Sequence, residues 1–252
     1  VIKKAVFPVA GYGTRFLPAT KAYPKEMLPI IDKPLIQFAV EEAVAAGCTE
    51  LIFVTSHAKK VIEDHFDRNI ALEQHLLQKQ DFAMVSLINK IIPSRVTCIY
   101  IRQSQPHGLG HAVACAKSLI QNEPFAVILA DDLIHTTGKN CLAQLIDIYT
   151  QTGNSVIAVE QVQAAELKNY GVVAFEQTGK SSGYINKIVE KPRPEVAPSR
   201  HAVVGRYILT PTVLDCLQEL YAQQNTLELQ LTDALARLLA SEKIYALEFN
   251  GK

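Results

Sequence analysis

The residues of this chain that could do chemistry are small ones in a tight turn and isolated charges on long links. Near the amino terminus, Ala10-Gly11-Tyr12-Gly13-Thr14-Arg15 follows directly on an apolar run. Small residues at the carboxyl end of a strand let backbone N–H groups approach a phosphate. The spacing is neither G-x-G-x-x-G nor a P-loop, so it supports neither a nicotinamide nor a Walker-type site. A plain pair of turn glycines would also produce it. The link that follows, Phe16 to Leu35, is 20 residues long and holds four prolines together with Lys21 and Lys25. Long links inside a compact domain tend to be functional, and proline lowers the entropy lost when they order. Arg15 and Lys25 can then face one polyphosphate, solvated loop charges being the plainer alternative. Farther on, Asp131-Asp132 follows the most apolar run. A carboxylate there stands where a magnesium-bound phosphate would lie at a sheet edge, or caps a helix.

Those residues need a frame to position them. Short apolar runs alternate with segments of helical period, the pattern of an α/β fold with a parallel sheet wrapped by helices. Strands are expected at Ala5–Ala10, Glu50–Thr55, Val96–Gln103 and Phe125–Asp131, each nearly continuously apolar as in strands buried on both faces. Helices are expected at Leu35–Ala46, closed by Gly47, and at Leu109–Leu119, with one or two more within Lys59–Lys90. After Gly153 the texture turns to strands with turn signals: Ser155–Val162, Gly171–Glu176, Tyr184–Glu190 and Ala202–Leu209, the middle pair bridged by the Gly179–Gly183 loop. Helices Pro211–Ala222 and Leu231–Ser241 and a strand at Ile244–Asn250 complete a β-rich lobe on the α/β half. No internal repeat or low-complexity segment interrupts the pattern.

Composition bounds what such a frame can do. The 252 residues are 48% apolar, enough for one core and hence a single domain. With 25 basic against 25 acidic residues there is no overall field to attract a nucleic-acid polymer, so any phosphate must be gripped locally. The longest apolar run, Phe125 to Ala130, falls far short of the ~20 residues that span a bilayer. The opening Val1-Ile2-Lys3-Lys4 reads as the approach to a strand and not as a signal peptide. Five scattered cysteines without a C-x-x-C point to reduced thiols and a cytoplasmic setting. His107 and His111 are four apart, but Gly108 and Gly110 between them make a rigid helical zinc pair unexpected.

The stretch Val9-Ala10-Gly11-Tyr12-Gly13-Thr14-Arg15-Phe16-Leu17-Pro18 through Lys25-Glu26-Met27-Leu28-Pro29 resembles the signature of bacterial UTP–glucose-1-phosphate uridylyltransferases. Arg102-Gln103, Gly108-Leu109-Gly110-His111-Ala112, Asp131-Asp132, Tyr170-Gly171-Val172-Val173, Glu190-Lys191-Pro192, Val204-Gly205-Arg206-Tyr207 and Gln230-Leu231-Thr232-Asp233 follow in the family's order, so the resemblance covers nearly the whole chain. It implies a Rossmann-like, mostly parallel central sheet, with a nucleotide-binding half over residues 1–132 and a β-rich sugar-phosphate half over 133–252. The implied reaction joins UTP and glucose 1-phosphate to give UDP-glucose and pyrophosphate, with Mg2+ as cofactor, in a homo-oligomer. Such chemistry asks for positioning and charge neutralisation and needs no Ser-His-Asp triad.

By the same resemblance Ala10, Gly11, Gly13 and Thr14 hold nucleoside and phosphates, with Glu26 beside them. Arg15 offers a planar fork to the departing pyrophosphate and Lys25 a point charge near the attacked phosphorus. Gln103 and the Gly108 backbone match the imide edge of uracil, and Asp131 takes the metal. Glu190 accepts sugar hydroxyls, Lys191 binds the sugar phosphate, and Gly171, Val204 and Gly205 let backbone approach the ring. Two departures from the family stand out. Shortly before Glu228-Leu229-Gln230-Leu231-Thr232-Asp233, where the family commonly has a glycine or acidic residue, this chain reads Asn225-Thr226-Leu227. After Asn250-Gly251-Lys252 the family continues into an Asp-Cys-Gly segment whose aspartate helps hold the metal, so a longer parent protein is expected. The rival readings are a glucose-1-phosphate thymidylyltransferase and a non-catalytic nucleotide-sugar-binding homologue.

Overall fold

The computed structural model describes residues 1–223 and 228–252. The elements run β1 (Lys4–Pro8), β2 (Pro29–Ile30), β3 (Lys33–Pro34), α1 (Leu35–Ala45), β4 (Glu50–Thr55), α2 (Lys60–Phe66), α3 (Ile70–Gln78), α4 (Phe82–Asn89), β5 (Thr97–Arg102), α5 (Leu109–Cys115), α6 (Lys117–Ile120) and β6 (Phe125–Ile128). They continue α7 (Cys141–Thr152), β7 (Ser155–Gln161), β8 (Gly171–Gln177), β9 (Ser182–Glu190), β10 (His201–Leu209), α8 (Thr212–Gln223), α9 (Leu231–Leu238) and β11 (Ile244–Glu248).

Nine strands form one sheet in the order β5-β4-β1-β6-β10-β7-β11-β9-β8. The sheet is mixed, which corrects the mostly parallel expectation. β5, β4, β1 and β6 pair in parallel, β10 inserts antiparallel between β6 and β7, and β9 and β8 close the far edge antiparallel. A strand covered on both faces reads as apolar whichever way it runs, so its direction is invisible in its own residues. The β-rich portion is likewise a continuation of the same sheet.

Two apolar layers sandwich this sheet. One is built around Ile36, Val40, Leu142 and Leu145 from α1 and α7, the other around Val113, Leu217, Leu235 and Leu238 from α5, α8 and α9. α7 lies in a stretch to which the sequence reading assigned no element. Its signals are an Asn140 cap whose Oδ1 accepts from the Ala143 N–H at 2.8 Å and a left-handed Gly153 at its end. The expected Leu109–Leu119 helix breaks at Ala116 into α5 and α6, and Lys59–Lys90 holds three helices. The strand expected to reach Asp131 leaves the ladder after Ile128, where β10 carries an irregularity between Val203 and Tyr207. No helix among the described residues is long and apolar enough to cross a membrane, and all five cysteines are free. The unusual loop at 225–227 lies outside the described residues.

Candidate active site

Where β1 ends, the chain enters the glycine-containing loop at the carboxyl edge of the parallel strands. A Cβ on Gly11 would meet nothing within 4 Å, so its bare backbone opens onto free space. The N–H groups of Gly11, Tyr12 and Gly13 find no partner among the described residues. Gly13 is left-handed at φ 66°, and the Thr20 hydroxyl donates to its carbonyl at 2.7 Å, folding the proline-rich link back on the loop. Pro24 then opens a short turn in which two neighbours diverge. Lys25 reaches the rim, where its Nζ donates to Asp131 Oδ2 at 2.6 Å. Glu26 is 1% exposed, and both its oxygens accept from Lys59 Nζ, at 2.8 and 3.0 Å. Burial pushes the Glu26 carboxyl up and the Lys59 ammonium down from their ordinary pKa values. Glu26 therefore braces the loop, its carboxylate held by Lys59 at the border of the larger cavity described below.

Asp131 stands on the irregular stretch after β6, and one buried side chain holds that stretch. Arg206, 1% exposed, donates from Nε to Glu42 Oε2 at 2.9 Å, and from its terminal nitrogens to the carbonyls of Leu129 at 3.0 Å and Asp132 at 2.9 Å. Glu42 in turn accepts the Leu142 N–H at 2.9 Å. The Asp132 carboxyl is pushed up to about 6, by burial first and then by the charge of Asp131. Gly205 is left-handed at φ 68°, and a Cβ on it would collide with Asp132 Oδ2. Its smallness thus makes room for the Asp132 carboxylate.

On the antiparallel side, ladder register brings Gly171 of β8 opposite Glu190 of β9. Glu190 Oε2 accepts from the Thr232 hydroxyl at 2.8 Å, and its other oxygen pairs with Lys191 Nζ at 3.0 Å. Lys191 carries a positive φ of 42°, unusual outside glycine, with its N–H donating to the Tyr170 carbonyl at 3.0 Å. Gln103 is buried just past β5, and its Nε2 faces the Gly108 carbonyl at 3.1 Å and His111 Nδ1 at 2.9 Å. Gly108 requires glycine twice over, through φ 92° and because a Cβ would come within 2.6 Å of the Leu229 carbonyl oxygen. Burial, then the nearby His107, lowers the pKa of His111 from its ordinary value.

These parts line two adjoining cavities. A space of about 500 Å³ is bordered by Ala10, Gly11, Thr14, Lys25, Gln103 and Gly108. A second of about 220 Å³ is bordered by Arg15, Gly171, Glu190, Lys191 and Thr232. Asp131 borders both. Arg15 thus stands on the smaller cavity beside Lys191. Val204 and Gly205 line neither space: Val204 is buried in the apolar layer around α1 and α7, and Gly205 packs against Asp132. Arg206, Lys59, Thr232 and His111 had no assigned role; of these only Arg206 carried a signal, a charge inside the apolar run His201 to Leu209.

A loop of unpaired amides, cations around one carboxylate, and two cavities meeting there suit the transfer of a phosphate-linked group. A family model described as nucleotidyl transferase matches residues 4–252. The chain belongs to the nucleotidyl transferase family. Among similar members, a UTP–glucose-1-phosphate uridylyltransferase of Pseudomonas aeruginosa is 45% identical over 100% of this chain and 90% of its own length. A UTP-bound UGPase from Acinetobacter baumannii superposes with a TM-score of 0.92 at 43% identity, over 100% of this chain and 87% of that one. A UDP-glucose pyrophosphorylase complexed with UDP-glucose gives 0.89 at 45% identity, over 100% and 92%. The resemblance read from the sequence is borne out by these nucleotidyl transferases.

Proposed function

We propose that this chain transfers a uridylyl group from UTP to glucose 1-phosphate. A phosphate oxygen of glucose 1-phosphate attacks the α-phosphorus of UTP, a new P–O bond forms, and the bond to the departing pyrophosphate breaks. The observation that carries this reading is Asp131 on the border of both cavities, with Lys25 in the larger and Arg15 and Lys191 in the smaller. The amides of the Gly11–Gly13 turn bind the nucleotide phosphates, and Lys25 and Arg15 neutralise charge on the phosphates that meet there. Gln103 and Gly108 read the base. Lys191 binds the sugar phosphate while Glu190, fixed by Thr232, accepts from sugar hydroxyls.

Magnesium belongs to the same proposal. Among the described residues no group of three or more His, Cys, Asp or Glu forms a cage, and magnesium asks for none, since one or two carboxylates plus phosphate oxygens and water suffice. Asp131, half-exposed beside Asp132, would hold the ion, which when bound supplies positive charge to the phosphates. Self-association is also proposed, supported by the apolar side chains Ile70, Phe82 and Leu87 that α3 and α4 expose. Light scattering tests it, a monomer overturning it.

The test of the reaction measures pyrophosphate release for four NTPs, each with glucose 1-phosphate or galactose 1-phosphate. UTP with glucose 1-phosphate is expected to be fastest, and Asp131→Asn to lose nearly all of that rate. Faster turnover of dTTP, or no release from any pair, overturns the assignment.

A further inference from the structure

Gln103 offers a buried amide whose orientation can be read from chemistry. The Gly108 carbonyl at 3.1 Å can only accept, so the amide must turn its nitrogen, not its oxygen, toward it. The second N–H of that nitrogen points at His111 Nδ1, 2.9 Å away, and can be accepted there only if Nδ1 carries no proton. Both amide hydrogens are thereby engaged inside the protein. Oε1 has no partner among the described residues, and Gln103 lines the larger cavity. The side chain therefore presents one fixed acceptor. His111 is held in turn by ring contacts with His107 and Tyr221, at centroid distances of 5.2 and 5.0 Å, and burial lowers its pKa from the ordinary value.

We propose that His111 is a positioning residue for base selection: its unprotonated Nδ1 locks the Gln103 amide so that an accepting oxygen meets the ring N3–H of uracil. Cytosine has a lone pair at that ring position, and two acceptors facing each other repel. With His111 replaced by a side chain that cannot accept, one of the two bonds that hold the amide nitrogen inward is lost, the Gly108 carbonyl alone opposes rotation, and the rotated amide becomes more populated. The rotated amide offers N–H to the base, which suits cytosine and opposes uracil. This inference rests on Gln103 reading the base.

The experiment compares kcat/KM for UTP and for CTP, each with glucose 1-phosphate, in the wild type and in His111→Leu, His111→Asn and Gln103→Leu, with melting temperatures recorded alongside. His111→Leu is expected to lower the UTP-to-CTP ratio by about tenfold, the worth of one buried hydrogen bond. His111→Asn, whose side-chain oxygen falls near the position of Nδ1 and can accept, is expected to restore it. A structural role alone would slow both nucleotides equally and leave the ratio in place, which overturns the inference. It is also overturned if His111→Asn loses the ratio as fully as His111→Leu. Should His111→Leu fail to fold, His111→Gln, which reaches the position of Nε2 and not that of Nδ1, takes its place with the same expected loss. An unchanged ratio in Gln103→Leu removes Gln103 from the base site. Loss of the ratio there, with His111→Leu unchanged, removes only His111.

Discussion

The two cavities that meet at Asp131 hold their charges in different ways. Around the larger cavity, proposed for the nucleotide, Lys25 sits on a link with little regular structure, and a buried ion pair from a distant segment, Glu26 with Lys59, fixes that link. Asp131 itself depends on the Arg206–Glu42 pair beneath it. Around the smaller cavity, proposed for the sugar phosphate, Glu190 and Lys191 end a strand whose ladder already sets their position against Gly171, and one hydroxyl from α9 finishes the arrangement. A loop has no register of its own, so its placement needs strong, long-range bonds in the interior. A strand end inherits its placement from the backbone, so its functional groups can stay exposed and lightly held.

The comparison breaks first on stability. Lys59→Met and Arg206→Met each leave a carboxylate buried without its partner and should each lose about 3–5 kcal/mol of unfolding free energy. Pairing Lys59→Met with Glu26→Leu should recover most of the first loss, because the stranded charge goes with it. Urea unfolding at unchanged slope reads both. A loss below about 1 kcal/mol would put the pairs in the class of surface bridges.

On the sugar side the same kind of change should touch chemistry and leave folding alone. Lys191→Met, at an exposed position, should cost about 2–4 kcal/mol in kcat/KM for glucose 1-phosphate, with the melting temperature and UTP binding nearly unchanged. Equal weakening of UTP and glucose 1-phosphate in calorimetry would move Lys191 out of the sugar-phosphate cavity. A smaller effect sharpens the point: Thr232→Val keeps the shape against Gly171 but frees Glu190, so the Michaelis constant for glucose 1-phosphate should rise by about 1 kcal/mol equivalent while that for UTP stays put.

The smallest effect concerns pH on the nucleotide side. His65 donates from Nε2 to Gln37 Oε1 at 3.0 Å, and burial lowers its pKa from the ordinary 6.5. Above that value both folded and unfolded chains carry it neutral. As pH falls below it, the unfolded chain takes a proton that the folded chain resists, and stability is lost. The variant His65→Gln, which keeps a donor at that place, should therefore gain melting temperature relative to the wild type between about pH 7.5 and about pH 5.5. A constant difference across that range would show that His65 titrates alike in both states.

How much of this was legible beforehand varies with the range of the interaction. The glycine loop, Lys25 and Asp131 were named from their own neighbourhoods, and Gln103, Glu190 and Lys191 through the family resemblance; all of them border the two cavities. Glu26, Val204 and Gly205 were named through the same resemblance; Glu26 borders the larger cavity with its carboxylate held by Lys59, while Val204 and Gly205 line neither. α7 went unassigned although its cap and terminal glycine are present in the chain, and Lys59 gave no local sign of its role.

The sequence by itself determined the alternation of strands and helices, the apolar faces that become two layers on a sheet, and the kinds of group available for phosphate chemistry, because these follow from local sterics and from the spacing of apolar residues. Only the tertiary structure decided the direction of β10, the meeting of Lys25 with Asp131 across 106 residues, and the pairing of Arg206 with Glu42 across 164. Those depend on which surfaces find each other once the core closes. A side chain's own neighbours in sequence do not encode the partner that burial will force on it.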